Sequence, residues 1–211
     1  MAKSSKQWLR RHVTDPYVRK AQAAGYRSRA AYKLLELDAR ERLFRPGATV
    51  VDLGAAPGSW SQVAAARVRP GGKVIAVDLL EIAPISGVTV LQGDFRDATV
   101  LAALDDAHVD VILSDVSPKL SGIANVDQSR AAQLSHAALD FCQKALKRDG
   151  VFVLKAFHGV AFDEVLQRLK QDFGKVNVRK PQASRGESRE TYVVARNPRK
   201  MQGSPHPHKQ E

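Results

Sequence analysis

The run "VFVLKAF", residues 151–157, sets Lys155 inside an apolar strand-like segment. A buried ammonium is costly unless neighbouring charge or hydrogen bonds offset its desolvation. Acidic residues close the other apolar runs: Asp52, with Gly54 after it, closes "TVVDL", Asp78 closes "KVIAVD", Asp94 follows "VTVLQG" and Asp115 follows "DVILS". Glu190 opens the last run, "ETYVVAR". A lysine among carboxylates can hold a hydroxyl in place or, when neutral, take its proton. A purely structural ion pair is the alternative for such a lysine.

Residues 52–60, "DLGAAPGSW", form a glycine-rich loop leading into a helical pattern, which lets backbone approach a ligand closely. The loop has no G-K-[ST], so it is not a P-loop, and it lacks the G-x-G-x-x-G spacing of a dinucleotide fingerprint. A nucleotide-like cofactor remains. Asp78 stands about 20 residues beyond the loop, where an acid accepts hydrogen bonds from a ribose. Asp94 in "QGDF" is placed to meet a base edge. Each of these acids also reads as a turn or helix cap, the commoner use of an isolated loop aspartate.

The elements that must position these residues alternate between short β-branched runs and helical patterns from Thr49 onward. That alternation predicts an α/β fold, a doubly wound, mostly parallel sheet covered on both faces. Only "KPQASRGESR" separates "KVNVR" from "ETYVVAR", too little for a helical crossover, so the last strand is expected to run antiparallel. Ligands bind outside the carboxyl ends of such strands. An antiparallel last strand starts at that edge, which places Glu190 on the same rim as the other acids and Lys155. Upstream, "SRAAYKLLELDARERL" reads as a helix with Ser28 as N-cap. A longer amphipathic helix is expected from Asp127 to Arg148, with Ala131, Leu134, Ala138, Phe141 and Ala145 on one stripe.

The chain has 211 residues and a formal net charge of +11. Residues 1–45 carry 12 Lys/Arg against 4 Asp/Glu, residues 46–178 carry 13 against 15, and residues 179–211 carry 8 against 3. A near-neutral scaffold with basic ends suits a polyanion, and nucleic acid fits better than lipid. Residues 1–45 are expected to be a basic RNA-binding extension packed on the same domain, residues 46–197 the main domain, and residues 198–211 a disordered tail. Arg10, Arg11, Arg19, Lys20, Arg27 and Arg29 are the expected phosphate contacts, with Trp8, Tyr17 and Tyr26 for base stacking. No run approaches the roughly 18 apolar residues of a membrane helix, and the start lacks the apolar core of a secretion signal. A cytoplasmic protein without membrane attachment is expected. The single cysteine, Cys142, reads as helix core, no metal site is expected, and no broad apolar stripe demands a dimer.

Taken together, "DLGAAPGSW", "AVDLL", "GDF", "LSDVSP", "VLKAF" and "SRETYVV", with "RSRAAYKLLEL" upstream, resemble the FtsJ/RlmE family of S-adenosylmethionine-dependent RNA ribose 2'-O-methyltransferases across residues 8–197. The resemblance implies a Rossmann-like methyltransferase fold and a catalytic set of Lys33, Asp115, Lys155 and Glu190. Lys33 enters on the resemblance alone, because a lysine on an amphipathic helix ordinarily just faces water. It further implies S-adenosylmethionine contacts at Gly58, Trp60, Asp78, Asp94 and Asp115. Compact members resemble the bacterial enzyme that methylates a uridine ribose of the large-subunit (23S) ribosomal RNA, and tRNA is the second target class. Two positions depart from the family pattern: Ser59 replaces a common second glycine, and Ser117-Pro118-Lys119 replaces Ala-Pro-Asn.

The reaction so implied needs alignment of the hydroxyl with the methyl carbon and removal of a proton, with Lys155 as candidate general base. Nearby positive charge favours its neutral form, whereas Asp115 and Glu190 favour the charged form, in which it would only steer the oxygen. A non-catalytic ribosome-assembly factor would show an eroded catalytic set, and a nicotinamide-dependent oxidoreductase would show the missing fingerprint.

Overall fold

The computed structural model describes residues 15–103, 109–119, 121–185 and 188–199. Among the described residues two helices precede the sheet, α1 (Pro16–Ala23) and α2 (Ala30–Glu41). The alternating part follows as β1 (Thr49–Leu53), α3 (Ser59–Arg67), β2 (Lys73–Asp78), β3 (Val88–Gln92), α4 (Ala98–Ala102), β4 (Val109–Ser114), α5 (Ala124–Ala145) and β5 (Leu146–Phe157). It ends with α6 (Val160–Asp172), β6 (Phe173–Arg179) and β7 (Glu190–Pro198).

The strands form one sheet in the order β3-β2-β1-β4-β5-β7-β6. The first five pair in parallel, and β7 lies antiparallel between β5 and β6. This is the doubly wound arrangement that the strand-helix alternation predicts, with its last strand reversed. Side chains alternate across β5: Phe152 and Leu154 face Leu139, Phe141 and Leu169 of α5 and α6. Val151 and Val153 face Leu34, Leu37, Trp60 and Val63 of α2 and α3. Lys155 follows the odd-numbered positions, so it belongs to the α2/α3 side.

Three local differences from the sequence expectations have simple causes. The N-cap position of α2 is Arg29, and Ser28 acts from one residue earlier, its Oγ accepting from the Ala30 N–H at 3.2 Å. Helix α5 starts at Ala124 and stops at Ala145 because Leu146 enters the sheet opposite Val109. Helix α6 was not anticipated, although Phe162, Val165, Leu166 and Leu169 repeat at helical spacing and pack on the core. Cys142 is buried, and burial raises its thiol well above the ordinary value. Among the described residues no helix is long and apolar enough to cross a membrane.

Candidate active site

At the carboxyl edge of the sheet stand two lysine-carboxylate pairs. Lys155 Nζ donates to the Asp115 backbone oxygen at 2.6 Å and lies 3.0 Å from Asp115 Oδ1. Lys33 Nζ reaches across from α2 and donates to both oxygens of Glu190, at 2.9 and 2.7 Å. Between them stands Tyr192, the register partner of Lys155, and Lys33 Nζ sits 5.8 Å from its ring centroid. The Tyr192 hydroxyl donates to Glu190 Oε1 at 3.3 Å.

The electrostatics follow from burial and these neighbours. Burial raises the Tyr192 hydroxyl well above its ordinary value, and the charges of Asp115 and Glu190 add to the shift. For Glu190, burial alone would raise the carboxyl, but the Lys33 ammonium and its hydrogen bond, with Lys155 beyond, hold it below the usual range. Removing either partner would strand a largely buried charge.

Asp115 is held in place by its own backbone and by a glycine opposite. Its N–H donates to the Leu53 oxygen at 3.1 Å. Gly54 has φ 71°, and a Cβ there would lie 2.8 Å from Val116 Cγ2 and 2.9 Å from Val116 Cα. The glycine thus lets the loop after β1 close against the segment that carries Asp115.

That closure leaves a cleft of about 90 Å³ lined by Ser28, Asp52, Gly54, Ser59, Trp60 and Asp115. Asp52 is fully buried inside β1 rather than on the rim. Its Oδ2 accepts from Ser61 Oγ at 2.6 Å, while Oδ1 has no hydrogen-bond partner among the described residues. Burial pushes this carboxyl up to about 7, aided by the charges of Asp115 and Asp78 and opposed by the Ser61 hydrogen bond.

The expected cofactor residues divide into three groups. Trp60 and Asp115 line the cleft, and Trp60 also donates from Nε1 to the Ala30 oxygen at 2.8 Å and packs 5.7 Å from Tyr192. Gly58 serves the loop's packing: with φ 104°, a Cβ there would lie 2.5 Å from Ile85 Cδ1. Asp78 and Asp94 lie further along the rim. Asp78 accepts from the Ala56 N–H at 2.9 Å and the Leu80 N–H at 2.8 Å, so it does cap turns. Asp94 is gripped by Arg96, whose hydrogen bonds hold its carboxyl below the usual range. Ser59 has a local reason to be serine, because its hydroxyl bonds the Ser28 hydroxyl at 2.7 Å and joins α3 to the start of α2.

The expected phosphate face needs correction. Arg27 donates to the backbone oxygens of Pro57, Ala83 and Pro84, clamping the glycine loop to the loop after β2. Arg29 pairs with Asp15 and donates to the Ala183 oxygen, which ties the β6–β7 connection to α1. The Tyr17 ring lies 5.6 Å from Tyr32 with its hydroxyl on Glu36, and Tyr26 packs edge-on against Tyr32. Only Arg19 and Lys20 of that set are solvent-exposed without such internal bonds among the described residues. Trp8, Arg10 and Arg11 lie outside the described residues, as do residues 200–211 with their histidines.

Sequence reasoning missed Tyr192 and the pair Leu79 and Leu80, which are 65% and 66% exposed beside Asp78. Strand period could have flagged Tyr192, two residues after Glu190 and therefore on its face. Among the described residues no cluster of His, Cys, Asp and Glu is arranged to hold a metal ion.

Comparison with known proteins places this geometry. The profile of the FtsJ-like methyltransferase family matches residues 26–198. A Nitrosospira multiformis protein named ribosomal RNA large subunit methyltransferase E is 52% identical over 196 residues, covering 91% of this chain and 95% of its own. A Thiobacillus denitrificans protein of the same name is 50% identical, covering 95% and 93%. A Plasmodium falciparum crystal structure described as a ribosomal RNA methyltransferase superposes with TM-score 0.74 at 30% identity, over 82% of this chain and 98% of that one. A Thermotoga maritima S-adenosylmethionine-dependent O-methyltransferase, at 18% identity and TM-score 0.56, shares the fold over 79% of this chain and 65% of its own. With the fold, the glycine loop and the match over nearly the whole described chain in agreement, the protein belongs to the FtsJ-like methyltransferase family.

Proposed function

We propose that the protein transfers a methyl group from S-adenosylmethionine to the 2'-hydroxyl of a uridine in large-subunit ribosomal RNA. The observation that carries this reading is the double position of Asp115: it lines the cleft beside Asp52 and it touches Lys155. A methyl donor in the cleft and an acceptor at the lysine would therefore meet at one residue. The names of the relatives supply the RNA.

The cleft fits a cationic donor. Its buried acids, the unpartnered Asp52 Oδ1 above all, suit a sulfonium compound bearing an amino group. The exposed Leu79 and Leu80 beside Asp78 offer apolar surface for a base next to an acid for its ribose. S-adenosylmethionine supplies an electrophilic methyl, so the protein's share is alignment and proton removal. Alignment can lower such barriers by ~7 kcal/mol or more. A positioned base adds roughly 100 to 10,000-fold.

Lys155 is the candidate base, taking the 2'-hydroxyl proton at Nζ in its neutral form. Asp115 fixes its position through the backbone oxygen and the carboxylate. Glu190, held by Lys33 and Tyr192, flanks the acceptor. The exposed Arg19 and Lys20 of α1 supply phosphate contacts, and the ribosomal substrate agrees with the expected cytoplasmic location.

The test is transfer of labelled methyl to large ribosomal subunits that lack the modification, with the ribose mapped. Wild type should label one uridine, and Lys155→Ala should not, while still binding S-adenosylhomocysteine. A pH-rate profile with no ionisation removed by Lys155→Arg would overturn the base role. Transfer to tRNA alone would overturn the ribosomal target.

A further inference from the structure

A second cavity, of about 170 Å³, opens beside Phe157, two positions beyond Lys155 in β5. Its walls include Pro118, Gln128, Ala131, Phe157, His158 and Arg189. It is continuous in the chain with both lysine-carboxylate pairs. Pro118 follows Asp115 by three residues, Arg189 precedes Glu190, and Phe157 is the register partner of Glu190. Lys155 Nζ lies 5.7 Å from the Phe157 ring centroid.

We propose that this cavity takes the base of the nucleotide being methylated, a pyrimidine turned out of its stack. The inference rests on the RNA reading given above and adds the residues that hold the base. The chemistry of the walls suits such an occupant. Unpaired bases stack on Phe, His and Arg planes and hydrogen-bond along their Watson–Crick edge. Phe157 supplies a ring, backed by the His158 and Phe162 rings 4.7 Å apart. Arg189 is an exposed guanidinium at the mouth. Gln128 supplies the edge contact: its amide makes no hydrogen bond among the described residues and offers one donor group and one acceptor, the complement of a pyrimidine imide. Gly159 makes room for that amide, since a Cβ there would lie 2.8 Å from Gln128 Oε1. An enzyme acting on a nucleotide within folded RNA must expose it, and a pocket for the extruded base offsets the lost stacking.

The experiment uses the full chain and large-subunit particles carrying either the intact target nucleotide or an abasic ribose at that position. Kcat/KM for methyl transfer and the affinity for S-adenosylhomocysteine are measured together. Phe157→Ala and Gln128→Ala should each lower kcat/KM on intact particles by roughly 5- to 150-fold, the range for losing a base-aromatic or comparable contact. S-adenosylhomocysteine affinity should stay unchanged. The abasic particle should cost wild type a similar factor and cost Phe157→Ala little more. Independent, multiplying losses would overturn the proposal, as would full activity of Gln128→Ala, which sits on a helix surface and does not endanger folding. Absence of transfer by wild type on intact particles would instead overturn the activity reading, a distinct result.

Discussion

Lys33 and Glu190 are 157 positions apart in the chain, yet their side chains meet in a bidentate contact of 2.7 and 2.9 Å. The contact joins a helix that precedes the sheet to the first residue of its last strand. Tyr192 completes it with its hydroxyl on the same carboxylate.

Glu190→Gln should therefore destabilise the fold by roughly 1.5–3 kcal/mol at pH 7, because Lys33 loses a charged acceptor. The folded carboxyl titrates below its ordinary value of 4.5, so the pair's contribution is complete above that pH and fades as pH falls through the folded value. Denaturant melts from pH 3 to 7 should show wild type and variant converging in acid.

Asp52 should give the opposite slope. Its folded carboxyl titrates near 7 against an ordinary 3.8, so between those values the folded chain holds a proton that the unfolded chain has released. Stability should fall as pH rises across that window, by up to about 4 kcal/mol, and Asp52→Asn should lack the slope. The ionised form is the one that attracts a cationic amine. S-adenosylhomocysteine binding by calorimetry should tighten about ten-fold from pH 6 to 8 in wild type and stay flat in Asp52→Asn.

Gly54→Ala should weaken the fold by about 1–3 kcal/mol, since the added methyl meets the Val116 backbone and φ 71° disfavours alanine. Relief would require Asp115 to move. A thermal melt and methyl-transfer assay on the same sample should show activity falling further than stability explains.

Arginine substitutions should divide by their partners. Arg19→Ala and Lys20→Ala should each flatten the salt dependence of RNA affinity by about 0.7 in log-log slope. Arg27→Ala and Arg29→Ala should lower the melting temperature, because their guanidinium groups hold backbone oxygens within the protein. RNA filter binding at several salt concentrations, beside melts, separates the two pairs.

The sheet was legible because its strands are buried apolar runs whose ends carry the unusual residues. Asp115 and Lys155 could be placed on the same rim from strand direction alone. Lys33 could not, since nothing local distinguishes it from a solvated helix lysine and its partner lies at the far end of the chain. Arg27 and Arg29 misled for a related reason: counting charge along a sequence shows how many cations there are, not which backbone oxygens claim them. Helix α6 has only its apolar spacing to announce it, because Gly159 stands at its N-cap position and no side chain caps it.

The place of β7 has a consequence for how the chain matures. The last strand among the described residues is an interior strand, with β5 on one side and β6 on the other. During synthesis β6 emerges before the strand it must pair with, so a partly translated chain has no neighbour for it and no carboxylate for Lys33. The site is thus assembled only after residues 190–198 leave the exit tunnel, and a message cut short before them yields a protein lacking Glu190 and Tyr192 together.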